Sequence, residues 1–363
     1  MTKQRATRRE IVCAAVAAIA MIAAIVGFAL YSSERVPGDA AAKVNSSYLA
    51  EERVAERIAQ YRTASSLEDD ADFAQFLLDQ NLNVGTFRQN TINQMALADL
   101  VSERAEQLGI APSEEEAQAQ VDAMKQSMAF NDDEIWAESL ATYGMSVDSL
   151  RAQYLANLKQ QGVLEADVPH REPGEEEVLD YLQENLAGTT QKHASRILFE
   201  GEDAYARATE CHERLSEAQA AGSLDEEAFA AIAREHSDEE GVEETGGLYA
   251  WSSSNAMDSD IMALLEGLDV GAFTGVESIE ADGALEIIYC DVEYAFPAKD
   301  AIESLALGDV PETLRPLIED AAADAVWTAD CNAYLGGLLF GAQITYYPIP
   351  ADAAYAVDMA LPS

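Results

Sequence analysis

The chain has 363 residues, 48% of them hydrophobic, and sets 66 acidic side chains against 22 basic ones for a net charge of -44. That length and apolar content allow a sizeable core and two or three domains, and they exclude a disordered polyanion. Negative charge spread along the whole chain excludes binding to nucleic-acid backbones and to anionic lipid headgroups.

Lys3, Arg5, Arg8 and Arg9 precede an uncharged apolar run, residues 11–30. A helix of that length spans a hydrocarbon core, and the basic flank places the remainder of the chain outside the cytoplasm. Residues 1–32 are therefore predicted to be a basic tip and a transmembrane signal anchor. The small-residue stretch DAAAK (39–43) leaves cleavage as the alternative. Cys13 opens the apolar run instead of coming after it, which argues against a lipoprotein anchor.

Residues 33–43 read as a linker, and 44–168 as a mostly helical module. Helices are predicted over 49–62, 86–109, 131–143 and 146–161. In the second, Ile92, Met95, Leu100, Val101 and Leu108 recur near helical spacing, and Gly109 stops it. Ser113 followed by Glu116 forms a capping box for a further helix. A polar hinge and a connecting helix occupy 169–187.

The pattern then changes. HASRILFE alternates like a strand, and two helices come next, the first closed by Gly222. The stretch SDEEGVEETGGLYAW is a loop entering a strand at Leu248. A short helix and a final strand, GALEIIYCDVEY, complete a βααβαβ order over 188–296, a small α+β domain. From Pro311 to Ala342 a long helix carries Leu314, Ile318, Ala321, Ala325, Tyr334, Leu338 and Leu339 on its apolar side. The predicted fold class is thus α+β: an N-terminal transmembrane helix, a mostly helical module completed by a C-terminal helix within 297–363, and a small inserted α+β domain.

Cofactor signals are missing. The four histidines (170, 193, 212 and 236) lack metal-ligand spacing, no acidic cluster has EF-hand spacing, and there is no phosphate-binding glycine loop. We therefore expect no metal and no other cofactor. Cys211 shares an apolar stripe with Ala204, Ala208 and Leu215 and reads as a buried small hydrophobe. A Cys290–Cys331 bridge is left open.

Four blocks carry a resemblance. Ala194, Ser195, Ile197 and Leu198 form the first; His236, Ser237 and Asp238 the second; Gly246, Gly247 and Trp251 the third; Gly283, Ile287 and Ile288 the last. In this order and spacing the region resembles a parvulin domain, the rotamase class of peptidyl-prolyl cis-trans isomerases. The stretch TFRQNTINQMALADLVSERAEQLGIAPSEEEAQAQV resembles the chaperone module that precedes parvulin domains in extracytoplasmic foldases and periplasmic chaperones of the PrsA and SurA kind. The resemblance implies a membrane-anchored extracytoplasmic foldase. Its partners would be unfolded or proline-containing exported polypeptides, with the oligomeric state left open.

The same resemblance implies a site. An apolar pocket should hold the proline ring, and a polar network, usually two histidines with an Asp or Cys, should stabilise the twisted amide. Tyr249, Met257 and Ile261 fall at the apolar positions, with Trp251 nearby. The first histidine position is held by Arg196, the second by Glu286, and the acid by Glu239, or Asp238 if the loop shifts. His193 lies three residues before Arg196, which on a strand means the opposite face. Two readings stay open. Arg196, Glu239 and Glu286 form either a charged replacement network that still donates to a prolyl amide, or a structural ion cluster in a domain that merely binds chain segments or does nothing. A third reading is an acidic envelope-structural protein that borrowed the fold. Acidic clusters at 200–203 and 238–244 would repel phosphorylated peptides and favour neutral or basic clients.

Overall fold

The computed structural model describes residues 39–254, 257–278, 284–302 and 305–358. The predicted transmembrane anchor lies outside the described residues. Among the described residues no helix is long and apolar enough to cross a membrane. The described residues divide into two compact units, one of residues up to 169 together with those from 329 onward and one of residues between 170 and 328.

The first unit opens with strands β1 (Ala40–Val44) and β2 (Ser47–Ala50). Residues 40–43, expected in the linker, therefore belong to a sheet, and Ala41 and Ala42 are wholly buried. The hairpin turns at Asn45, whose φ of 51 is in the left-handed region that asparagine tolerates. Asn45 also exchanges hydrogen bonds with Gln343: its N–H donates to the Gln343 carbonyl at 2.9 Å, and its Oδ1 accepts the Gln343 N–H at 3.0 Å. This exchange holds strand β6 (Ile344–Tyr346) alongside, giving the order β2-β1-β6, all antiparallel.

Six helices come next: α1 (Glu51–Ala64), α2 (Asp70–Asp79), α3 (Val84–Leu108), α4 (Glu114–Ser127), α5 (Asp133–Thr142) and α6 (Val147–Asp167). Side-chain caps start most of them. Asn83 accepts from the Thr86 N–H, and Ser113 with Glu116 makes the predicted capping box. Gly109 ends α3 at φ 72. Arg88 of α3 is almost fully buried. It pairs with Glu51 at the start of α1 and donates to the Tyr347 and Ala41 carbonyls, while the Tyr355 hydroxyl donates to the same carboxylate. One arginine thus ties the sheet, α1, α3 and the tail together.

The second unit begins with α7 (Glu175–Asn185) and holds a sheet of β3 (Thr190–Phe199), β4 (Leu248–Trp251) and β5 (Leu285–Ala295) in the order β4-β3-β5. Between β3 and β4 lie α8 (Ala204–Ala220), α9 (Glu226–His236) and the single turn α10 (Val242–Thr245); α11 (Ser259–Glu266) precedes β5. Ile197, Phe199, Ile287 and Tyr289 leave one sheet face and pack on Ala208, Cys211 and Leu215 of α8 and Phe229 of α9. Ala194, Ile288 and Cys290 leave the other and pack on Ile261 and Leu265 of α11.

The last helix, α12 (Arg315–Gly341), contributes to both units. Leu314, at its entrance, with Ile318 and Ala322 packs against Val178 and Leu182 of α7. Tyr334, Leu335 and Leu338 pack against Val101, Ala105 and Val163. Ala325, expected on the apolar side, is exposed. Cys211, Cys290 and Cys331 are free and buried, so the Cys290–Cys331 bridge is not formed.

Candidate functional site

The candidate site lies on the α11 face of the sheet. Arg196 on β3 is paired in register with Ile288, and Leu198 with Glu286, so Arg196 and Glu286 are diagonal neighbours on one face. Glu286 is wholly buried, and one of its carboxylate oxygens is 3.5 Å from Arg196 Nη1. Glu239 enters from the loop after α9. Its Oε1 accepts from Arg196 Nε at 3.0 Å and Nη2 at 2.9 Å.

Tyr249 covers the guanidinium, with the Arg196 Cζ 4.3 Å from its ring centre. A bulge explains how it gets there. Ala194 pairs with Ala250 and Ser195 with Leu248, so Tyr249 is the extra residue on β4. The bulge turns its ring to the Arg196 face and breaks the alternation, which sends Trp251 to the other side.

The loop carrying Glu239 is stitched to β3. Ser237 Oγ accepts the N–H groups of Leu198 at 3.0 Å and Glu239 at 3.2 Å. The Asp238 N–H donates to the Leu198 carbonyl, and the Glu200 N–H donates back to Asp238 Oδ2, both at 2.8 Å. The two glycines after α10 make room on the other flank. A Cβ on Gly247 would stand 2.6 Å from the Arg196 carbonyl oxygen, and φ there is +84.

Burial pulls the Arg196 guanidinium toward losing its proton. The hydrogen bond to Glu239 and the charges of Glu239 and Glu286 outweigh burial and hold its pKa above the usual arginine value. The guanidinium is therefore charged, and all three of its nitrogens are directed at carboxylates.

Two protein-family models match the sequence. Residues 1–164 match the SurA-like N-terminal domain family, and residues 197–292 match the PPIC-type PPIase domain family, the rotamases. The chain carries a SurA-like N-terminal domain and a PPIC-type rotamase domain and is homologous to the PrsA foldases. The foldase protein PrsA of Clostridium kluyveri is 24% identical over 250 residues, covering 65% of this chain and 68% of the relative. Among solved structures, PrsA from Lactococcus lactis is 10% identical with a TM-score of 0.36, covering 87% of this chain and 96% of that one. A SurA-like chaperone of Campylobacter jejuni is 12% identical with a TM-score of 0.39, covering 85% and 99%.

Within the rotamase domain, the structure brings Arg196, Glu239, Glu286 and Tyr249 together. It does not bring in Asp238, the alternative acid. That carboxylate is bonded to Arg207 and to the Glu200 N–H, and its pKa is lowered chiefly by the Arg207 hydrogen bond. Trp251, expected near the pocket, packs instead with Val178, Leu182, Phe296 and Leu314, and its Nε1–H donates to Thr313 Oγ1 at 3.1 Å. Met257 and Ile261 do cluster with Tyr249, but they are only 7% and 1% exposed. The apolar wall is packed shut against Ala194 and Ala250.

His193 is on the far face, as the strand period requires. Its Nδ1–H donates to the Asp291 carboxylate at 3.0 Å, and Ser195 Oγ–H donates to Asp291 Oδ2 at 2.9 Å. Asp291 is the extra residue of a second bulge, since His193 pairs with Val292 and Ala194 with Cys290. Sequence reasoning misses this cluster because a bulge in β5 leaves no mark in the residue pattern. Among the described residues no group of His, Cys, Asp and Glu side chains could hold a metal ion.

Proposed function

We propose that this PrsA-like foldase is a membrane-anchored, extracytoplasmic chaperone whose rotamase domain holds client segments and contributes little prolyl isomerisation. The occupation of the Arg196 guanidinium carries this reading. Stabilising a twisting amide requires a donor free to follow it over a barrier of about 18–20 kcal/mol. Here Nε and Nη2 are committed to Glu239, Nη1 faces Glu286, and one flat side rests on Tyr249. The closed packing of Met257 and Ile261 supports the same conclusion. The uncharged run at 11–30 behind a basic flank supports anchoring, with the bulk of the chain outside.

The test is refolding of a proline-limited model protein beside the full chain and its Arg196→Ala variant. The expected result is suppressed aggregation with no sub-stoichiometric acceleration by either protein. Catalytic acceleration by the wild type that the substitution abolishes would replace this reading with that of an isomerase working through Arg196.

A further inference from the structure

We infer that the outer face of the three-stranded sheet in the first unit, with the Phe340 end of α12, is a membrane-facing surface that rests on a zwitterionic phospholipid interface beside the anchor. This rests on the anchoring reading above and adds which side of the protein meets the bilayer. The charge pattern singles the region out. In a chain with a net charge of -44, residues 331–351 contain no Asp, Glu, Lys or Arg, and they are the longest charge-free stretch after the apolar run at 11–30. Laying a carboxylate-bearing surface on lipid strips water from charges, which is costly, so a charge-free face is the one that can approach.

That stretch covers the end of α12, strand β6 and the start of the tail. Cys331 is buried, and Tyr334, Leu335 and Leu338 pack inward on Val101, Ala105 and Val163. Ala333, Gly336, Gly337 and Phe340 share the outer helix face and are exposed, and Phe340 keeps 94% of its surface in water. Three residues after Phe340 the chain enters β6. Across the sheet, Lys43 of β1 stands opposite Tyr48 of β2 and Thr345 of β6. Ala42 and Leu49, one residue along, are buried, so Tyr48, Lys43 and Thr345 form a row that faces outward. The Lys43 ammonium lies 5.4 Å from the Tyr48 ring centre, and Tyr48 is 45% exposed. An aromatic ring with a polar tip and a lysine on an apolar stem suit a membrane interface. No acid belongs to this row; Asp39 precedes β1 and Glu52 follows β2.

Chain length brings the same face to the bilayer. Residues 31–39 join the apolar run to β1, and nine extended residues reach about 30 Å at most. So short a tether holds the sheet near the lipid at an effective concentration on the order of millimolar, where contact through a few side chains is enough to populate a docked state.

The experiment uses the full-length chain reconstituted through its anchor into phosphatidylcholine vesicles. A fluorophore is attached at Ala333→Cys, at Thr345→Cys or, as a control, at Gln126→Cys on the exposed side of α4, and the native cysteines are read in the unsubstituted chain. Quenching by nitroxide-labelled phosphatidylcholine should be about threefold stronger at positions 333 and 345 than at 126. Phe340→Asp should bring the three positions close together and leave the melting curve unchanged. Equal quenching at all three positions without that substitution would overturn the inference while the anchoring reading stands. Strong quenching at 333 and 345 that survives Phe340→Asp would also overturn it. If Phe340→Asp weakens suppression of client aggregation with quenching unchanged, the face belongs to clients and the inference fails. If the chain does not float with the vesicles, the anchoring reading itself fails, and this inference with it.

Discussion

Replacing Arg196 by alanine separates a structural ion cluster from a catalytic one. The substitution leaves Glu239 and the fully buried Glu286 facing each other without their common cation. Removing one partner of a buried pair costs about 3–5 kcal/mol. The lower end applies here, because Arg196 and Glu239 keep 15% and 18% of their side-chain surface in water. Loss of the stack on Tyr249 adds about 0.5–1 kcal/mol. For a unit of this size about 3–4 kcal/mol lowers the Tm by roughly 6–16 °C. Differential scanning calorimetry of the two proteins reads that shift. The triple variant Arg196→Leu, Glu239→Leu, Glu286→Leu should recover most of it, since apolar replacement of a whole buried ion cluster is often neutral. A fall of under 2 °C for Arg196→Ala, or no recovery in the triple leucine variant, would refute the view that Arg196 is there to balance the two carboxylates.

Other substitutions probe the supports of the site and the two units. Gly247→Ala should destabilise the rotamase domain by about 2–4 kcal/mol, because the added carbon meets the Arg196 carbonyl in a backbone conformation that alanine avoids; chemical denaturation measures it. Asp167 accepts from Arg104 and from the Tyr334 hydroxyl, and these hydrogen bonds, Arg104 first, hold its pKa at about 2. A depressed carboxylate stabilises the fold above its unfolded pKa of about 3.9, and that contribution is lost as pH falls toward 2. Asp167→Asn should therefore lower the Tm at neutral pH and flatten its decline over that acid window, as an acid series of melting curves would show. Burial pushes the Cys211 thiol up to about 12 and the Cys290 thiol to about 11. Both should resist an alkylating reagent in the native chain and react on unfolding, with mass spectrometry counting the adducts.

The order of elements in the rotamase domain is legible because each has a local signal: alternation in β3, helical spacing in α8 and α9 with Gly222 closing the first, and a β-branched run in β5. The three-stranded sheet of the first unit is not. Its strands have three to five residues, and AAAKV at β1 has the composition of a helix or a linker. Only the tertiary partnership of Asn45 with Gln343 and the burial of Ala41 and Ala42 make it a strand. At the site, the face shared by Arg196 and Glu286 is fixed by strand period and pairing, and the same period puts His193 on the other. The positions of Tyr249, Trp251 and Asp291 are not readable, because each depends on a bulge that resets the period by one residue. Asp238 and Glu239 are neighbours that point to different cations, and nothing in the sequence says which one reaches Arg196.

The residues that make the rotamase pattern recognisable are mostly those that build its frame. Ser237 receives two backbone N–H groups, Asp238 ties the loop to β3 and to Arg207, and Gly247 lets the loop pass over the Arg196 carbonyl. These contacts are needed whatever the side chain at 196, so the pattern can persist while the chemistry changes. Arg196, Glu239 and Glu286 form the proposed site, and there the requirements are mutual. An arginine buried on this face needs carboxylates, and two carboxylates here need an arginine. Exchanging only one member for histidine would leave a buried charge unbalanced. Arg196→His alone should therefore be less stable than the wild type and show no gain in prolyl isomerisation. Arg196→His with Glu286→His and Glu239→Asp should regain stability and gain measurable acceleration of proline-limited refolding. If the triple variant is stable and gives no acceleration, the closed packing of Met257 and Ile261, and not the charge of the network, accounts for the proposed low isomerisation.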